Sequence, residues 1–216
     1  MAMRLISEGA EAQILSAEVL GISAVVKRRI RKEYRARQLD EAIMSSRAKT
    51  EARILALATT NGINAPVVLL IDGFDLYMSR IDGVRPGRLS KTQAREAGII
   101  LSKLHNLGIA HGDFTPANLL VSGGKLYVID FGLAEITRSI EEKALDLLLM
   151  NRSVGMAAAK SFLSGYSTSS AEHTKVVRKL KEIEMRGRYQ SRTLAPQGTL
   201  LQNQQDSLRC LRGRKR

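Results

Sequence analysis

Asp113, Asn118 and Asp130 are the residues of this chain best suited to chemistry, and all three fall in one short stretch, from His111-Gly112-Asp113 to Asp130-Phe131-Gly132. Transfer of a γ-phosphoryl group asks little covalent work of a protein. It needs a base near the acceptor, oxygen ligands for a metal and cations over the phosphates. Asp113 and Asn118 have the D-x-x-x-x-N spacing in which the Asp accepts the acceptor's proton while the Asn and a later Asp bind Mg²⁺. Asp130 is that later Asp. Two short apolar strands, "NLLV" and "KLYVID", are separated by Gly123-Gly124, and such a hairpin brings Asn118 and Asp130 to one end, where hard oxygens can share a cation. A lone D-F-G or H-x-D is a weak signal; both in this order and at this separation are a strong one.

The phosphate clamp lies upstream. Lys27 stands in "AVVKRRI", a context like the strand lysine of V-A-I-K, and Glu51 in "KTEARIL" follows 24 residues later on a predicted helix, as an ion-pair partner should. The stretch "SEGAEAQIL" occupies the place of a phosphate-covering loop. It departs from G-x-G-x-x-G, since Gly9 is its one glycine, yet one glycine permits a tight turn whose amides face phosphate. Gly9 reads either as that phosphate-facing turn or as an ordinary hairpin turn, and by position Ile6, Ala12 and Ile14 are the expected wall for adenine and ribose. "YMSRIDG" closes the last N-terminal strand and reads as a hinge, where backbone groups of Ser79 and Ile81 face the adenine edge and Met78 stands behind it. His105 and His111 read as structural: one at a helix end, the other bracing the loop. Asp146 reads either as a brace on the backbone of that loop or as an ordinary surface carboxylate.

These residues need elements to position them. Residues 1 to 30 alternate as three strands, "MRLIS", "AQILSAEV" and "SAVVKRR", broken at Gly9 and at Leu20-Gly21. "LDEAI" and then "SRAKTEARILALATT" have helical spacing, the second helix ending before Asn61-Gly62. "APVVLLIDG" and "FDLYMSRIDG" read as a hairpin turning at Asp72-Gly73 and closing at Asp82-Gly83. "SKTQAREAGIILSKLHNLG" is a helix capped by Ser90 and stopped by Gly108, with Ala94, Ala97, Ile100, Leu101 and Leu104 inward. Helices follow over 141–150, 153–164 and 171–186. The first comes within about ten residues of Gly132, which leaves no room for a long activation segment, and there is no A-P-E. The expected fold class is α+β: a two-lobed minimal protein-kinase-like fold, with a β-rich N-lobe (1–82), a helical C-lobe (83–188) without a long activation segment, and a basic, poorly ordered tail (189–216).

Composition limits the partners. Among 216 residues, 34 Lys+Arg against 21 Asp+Glu give a formal charge of +13, which suits a polyanion such as nucleic acid. The last 27 residues carry six Lys/Arg against one Asp. Cys210 alone and three His exclude a disulfide framework and a Cys/His zinc cluster. No apolar run reaches the ~20 residues of a membrane span and no signal-peptide layout opens the chain, so a cytoplasmic protein is expected.

The combined segments "SEGAEA", "KRRIRKEYRARQLDEAI", "SRAKTEARIL", "LHNLGIAHGDFTPANLL", "IDFGLA" and "EEKALDLLLM" resemble the PRPK family, the small atypical kinase subunit of the KEOPS complex, over about residues 3 to 188. The resemblance implies a kinase-like ATPase with Ser/Thr kinase activity that uses ATP and Mg²⁺ and supports threonylcarbamoyladenosine formation in tRNA. It implies a threonylcarbamoyl-transferase partner on the C-lobe, a small subunit on the N-lobe, and tRNA. By the same resemblance Asp113 is the base, Asn118 and Asp130 hold Mg²⁺, Lys27 and Glu51 clamp ATP, and Gly9 to Ala12 cover its phosphates. Members end in a short R-G-R-K-R type tail, for which "MRGRY" at 185–189 and "LRGRKR" at 211–216 are both candidates.

Two other readings use the same motifs. A small-molecule phosphotransferase of the aminoglycoside or choline type also carries H-G-D, but usually encloses its substrate in a larger C-lobe. A pseudokinase scaffold would bind without turnover, which the intact Lys27, Asp113, Asn118 and Asp130 argue against. A RIO-type kinase fits less well, because its metal motif lacks the Phe-Gly that follows Asp130.

Overall fold

The computed structural model describes residues 3–193, with side chains described through residue 186. Three strands open the chain, β1 (Arg4–Glu8), β2 (Ala12–Val19) and β3 (Ile22–Arg29), and β4 (Val68–Asp72) and β5 (Asp75–Ser79) complete one antiparallel sheet in the order β1-β2-β3-β5-β4. The alternation in sequence becomes two faces of this sheet. Leu15, Val19, Ala24, Val26 and Tyr77 form its buried cluster, with Leu69 packed against it. The opposite alternation turns Ile14 toward Lys27, its cross-strand partner, and Val25 toward Met78. Gly73, with φ +61°, makes the tight link between β4 and β5.

Helix α1 (Arg37–Thr60) is one continuous helix, where the sequence suggested a short segment followed by a separate one. Its middle contains no Gly or Pro, and Asp40, Met44, Ala48, Glu51, Ile54, Leu55 and Ala58 keep one buried face throughout. β5 ends at Ser79 rather than Asp82-Gly83; the chain beyond it leaves the sheet and pairs at Val84 with Val121 instead.

Helix α2 (Lys91–Asn106) begins on a full capping box, Ser90 and Gln93 each accepting from the other's backbone N–H. All five inward residues expected from its spacing are buried. After β6 (Ile109–Ala110) and a 3₁₀ turn (Pro116–Asn118) come the hairpin β7 (Leu119–Ser122) and β8 (Lys125–Val128), then β9 (Glu135–Ile136), which pairs with β6. Helices α3 (Ile140–Ser153) and α4 (Met156–Ser169) follow. α4 crosses α2 at glycine on both sides: a Cβ on Gly98 would lie 2.0 Å from the Phe162 carbonyl, and one on Gly165 2.0 Å from that of Arg95. This close crossing carries Phe162 and Tyr166 into the core beneath the Asp113 loop.

Among the described residues, those up to Leu180 form one compact unit and those from Lys181 on belong to a second. The helix α5 (His173–Thr193) continues seven residues past the 186 at which helical spacing was expected to end. The rest of the expected tail, from residue 194 on, lies outside the described residues. The outcome is a β-rich N-terminal part followed by a helical part, with ten residues or fewer between Gly132 and α3.

Candidate active site

The Asp113 loop is held from below by one buried carboxylate. Asp146 on α3 accepts from the backbone N–H of His111 (2.7 Å, Oδ2) and of Gly112 (2.8 Å, Oδ1). Its Oδ2 also lies 3.1 Å from Nε2 of His105 on α2, whose Nδ1 meets the Tyr166 hydroxyl at 2.8 Å. Asp146 is therefore the loop brace, not a surface carboxylate. A carboxylate with three donors is satisfied although fully buried, which is the condition for keeping a charge there. Burial drives both His105 and His111 below the ordinary imidazole pKa, against the pull of Asp146, so both are neutral. Burial likewise pushes the Tyr166 phenol up to about 12, against the Ser170 hydroxyl, so it keeps its proton. Gly112, at φ +78°, is a true backbone requirement, since a Cβ there would sit 2.5 Å from the Leu133 carbonyl.

The next residue, Asp113, accepts at Oδ2 from the Asn118 amide (2.8 Å), which also donates to the Asp113 carbonyl (2.9 Å). With its nitrogen committed twice, Asn118 has its oxygen left as a ligand. The β7–β8 register, Leu119 opposite Val128, places Asn118 and Asp130 at the open end of the hairpin, and Ile129 N–H donates to the Asn118 carbonyl at 2.9 Å. An amide oxygen and a carboxylate at one hairpin end are hard donors that fit Mg²⁺ sharing its remaining positions with phosphate and water.

Asp130 has φ +67°, a left-handed conformation uncommon for a residue other than glycine. What holds it is Lys27: the ammonium donates to Glu51 Oε1 and to Asp130 Oδ1, each at 2.7 Å. Burial works against ionisation of Asp130, but Lys27 and the Gly132 N–H, 3.0 Å from Oδ1, hold its carboxyl below the usual carboxylate range. Glu51 has a second cation on its other oxygen, Arg29. A Cβ at Gly132 would be 2.8 Å from Lys27 Nζ and 3.0 Å from Asp130 Oδ1, so the glycine is what lets this ammonium reach both carboxylates.

A cavity of about 310 Å³ opens over these groups. Of the residues singled out in the sequence, Ile6, Ile14, Lys27 and Glu51 line it from the N-terminal elements, Met78 and Ser79 from the end of β5, Ile81 from the segment after it, and Asn118 and Asp130 from the ends of the β7–β8 hairpin. Asp113 is not among the lining residues but reaches the cavity through Asn118. Gly9, Ala10, Glu11 and Ala12 also lie off its walls. They form the turn closed by Gly9 N–H to the Ala12 carbonyl (2.9 Å), and Ala10 and Glu11 line a separate cavity against α1.

Several participants were missed. Val25 shares the Lys27 face two residues away on β3 and Leu120 stands two residues after Asn118, so period-two counting from Lys27 and Asn118 would have found them, whereas Ile129, next to Asp130, follows from no such count. Arg29 is a further same-face residue of β3. Tyr166 and Arg85 carried no such signal, because nothing local in the sequence reports a helix crossing or a chain reversal.

Among known proteins, residues 21–155 match the family described as RIO domain. The chain is 38% identical over 86% of its length to the "Probable bifunctional tRNA threonylcarbamoyladenosine biosynthesis protein" of Methanobrevibacter smithii, of which it covers 36%. It thus spans about a third of that relative. It is 37% identical over 88% of its length to the "KEOPS complex subunit Bud32" of Pyrococcus abyssi and covers 98% of that protein. Among solved structures, the Rio2 kinase–ADP/Mg²⁺–phosphoaspartate complex from Chaetomium thermophilum superposes with a TM-score of 0.61 at 17% identity, over 88% of this chain and 72% of that one, which is a likeness of fold. The RIO-domain match overturns the expectation that Phe131-Gly132 sets this chain apart from RIO-type kinases. Gly132 answers to the space around Lys27, so the dipeptide is no marker against the family.

Proposed function

This chain belongs to the RIO-domain family and is similar over nearly its whole length to Bud32 proteins, and from that premise we propose that it is the ATP-using kinase/ATPase subunit of a KEOPS complex supporting threonylcarbamoyladenosine modification of tRNA. The observation that carries the reading is the continuous set Glu51–Lys27–Asp130 beside Asn118–Asp113 at the base of one cavity. Lys27, held by Glu51, would meet the nucleotide phosphates, the turn Gly9 to Ala12 would cover them, and backbone groups of Ser79 and Ile81 would face adenine with Met78, Ile6 and Ile14 as walls. Asn118 and Asp130 would hold Mg²⁺. Bound there, the metal would neutralise charge on the phosphate oxygens. Asp113 orients the acceptor and takes the proton from its O–H as the new P–O bond forms and ADP leaves; the acceptor is a Ser/Thr hydroxyl in kinase turnover and water in ATPase turnover.

The threonylcarbamoyl-transferase on the C-lobe, a small subunit on the N-lobe, tRNA as polyanionic partner and a cytoplasmic setting complete the proposal. So do the lobe boundary near residue 82 and a basic tail over 189–216. Among the described residues no helix is long and apolar enough to cross a membrane. The test is Asp113→Asn in the purified chain: Mg²⁺-dependent ATP turnover should fall by about 10²-fold while ATP affinity stays within about twofold. Turnover equal to wild type would remove Asp113 as base. Fast transfer to a small alcohol, far above ATP hydrolysis, would overturn the KEOPS assignment.

A further inference from the structure

The cavity against α1 is separate from the one assigned to the nucleotide, although the Ala10–Glu11 turn proposed to cover the phosphates forms one of its walls. It measures about 200 Å³ and is walled by the Ala10–Glu11 turn, the end of β3, the segment Lys32–Arg35 and the first half of α1. At roughly 30 Å³ per water molecule, that is about seven water volumes. Four cations line it, Arg29, Lys32, Arg35 and Arg47, against two carboxylates, Glu11 and Asp40. Asp40 is spent within the fold: it accepts from the Lys32 backbone N–H (3.1 Å) and from Arg35 (3.3 Å). Each arginine uses one terminal nitrogen, Arg29 on Glu51, Arg35 on Asp40 and Arg47 on Glu11, and a guanidinium carries five N–H donors. Most of their donors are therefore available to a ligand. The Arg35 and Arg47 contacts are long, at 3.3 and 3.4 Å, and partly exposed, so they are readily exchanged.

Tyr34 stands in the wall of this cavity and is 78% exposed, a position that burial does not explain. The Arg35 guanidinium lies over one face of its ring, 5.1 Å from the centroid. The ring therefore has a cation on one side and a face open to a planar partner. An aromatic face beside arginine and lysine donors is how proteins take single-stranded nucleotides, with the base stacked and the phosphate on the cations.

We propose that this cavity binds a nucleotide of RNA, its base stacked on Tyr34 and its phosphate held by Lys32, Arg35 and Arg47 above the buried Arg29. The site rests on the tRNA partner of the function proposed above and gives it a place on this chain. It also sets RNA against the Ala10–Glu11 turn, to which Lys32 (Nζ to the Ala10 carbonyl, 2.7 Å) and Arg47 are already tied.

The test is equilibrium binding of tRNA to the full chain at several salt concentrations, with Tyr34→Ala, Arg47→Ala and, as a charge control away from the cavity, Lys125→Ala. All three positions are exposed, and thermal unfolding checks that the variants fold. Tyr34→Ala should weaken binding about tenfold without changing the salt slope, as loss of a stacked base does. Arg47→Ala should weaken it and lower the slope by about one, and Lys125→Ala should do less than either. Unchanged affinity in Tyr34→Ala, or equal losses in Arg47→Ala and Lys125→Ala, overturns the site. Inorganic phosphate and a 5′-mononucleotide serve as competitors. If phosphate alone occupies the cavity by amide shifts at Ala10 and Lys32 while tRNA affinity ignores Tyr34, the ligand is free phosphate and the RNA assignment falls. ATP turnover is followed in parallel: its absence in wild type with the Tyr34 effect intact would sink the kinase/ATPase reading and leave the site standing.

Discussion

Replacing Asp146 by Asn keeps the shape of the side chain and exchanges one acceptor oxygen for a donor NH₂. The carboxylate serves three donors, His111 N–H and His105 Nε2 on Oδ2 and Gly112 N–H on Oδ1, and is fully buried. With its oxygen turned to His111 and His105, the Asn sets NH₂ against the Gly112 N–H; turned the other way, it strands two donors. The better arrangement loses one charge-assisted hydrogen bond, about 1.5–3 kcal/mol, and leaves facing donors unsatisfied, about 1–3 kcal/mol. Relief of the buried charge offsets part of this. A net destabilisation of about 3 kcal/mol follows, or a Tm lower by about 6–12 °C for a chain of this size. Because Asp113 is the residue after Gly112, a shift of the loop by about 1 Å should also cost ~10²-fold in ATP turnover. Urea denaturation and steady-state turnover measure the two effects. A loss below about 1 kcal/mol, or unaltered turnover in a folded variant, would refute the idea that Asp146 sets the loop.

Gly98→Ala would place a methyl 2.0 Å from the Phe162 carbonyl and 2.7 Å from the Tyr166 nitrogen, both backbone atoms that cannot swing away. Overpacking should outweigh the ~1 kcal/mol helix-propensity gain, for a net loss of about 2 kcal/mol by urea denaturation; a stabilised variant would contradict the close α2–α4 crossing. The two buried imidazoles predict an acid limb. Their folded pKa values lie below the ordinary 6.5, so their contribution is complete above that pH and is lost as pH falls toward the folded values. Each contributes a slope of up to about 1.4 kcal/mol per pH unit, seen as a falling urea midpoint between pH 7 and 5; a flat midpoint there would show that both take up protons freely in the fold.

Local punctuation made much of the chain legible. Ser90, Gln93 and Gly108 delimit α2 because capping and positive-φ requirements are satisfied within a few residues. The hairpin that joins Asn118 to Asp130 was readable because a Gly-Gly turn and two short apolar runs leave one register that buries Leu119, Leu126 and Val128. α1 was misread as two pieces because its buried face includes Asp40 and Glu51, charges that interrupt an apolar pattern; Asp40 is met by Arg35 just before the helix, and Glu51 by Lys27 and Arg29 on β3.

By itself the sequence determined the order of the main strands and helices, a β-rich part followed by a helical one, and residue types suited to phosphoryl transfer, since each depends on spacing over a few residues. Only the tertiary structure decided who shares whom. Lys27 divides its ammonium between Glu51 and Asp130, Glu51 answers to Arg29 as well, and Asp146 takes up the His111–Gly112 backbone with His105 and Tyr166 behind it. Those pairings rest on contacts of 22 to 103 residues' separation. Their physical cause is the closeness that glycine permits at Gly98, Gly165 and Gly132, a matter of space between elements that no pattern along one element records.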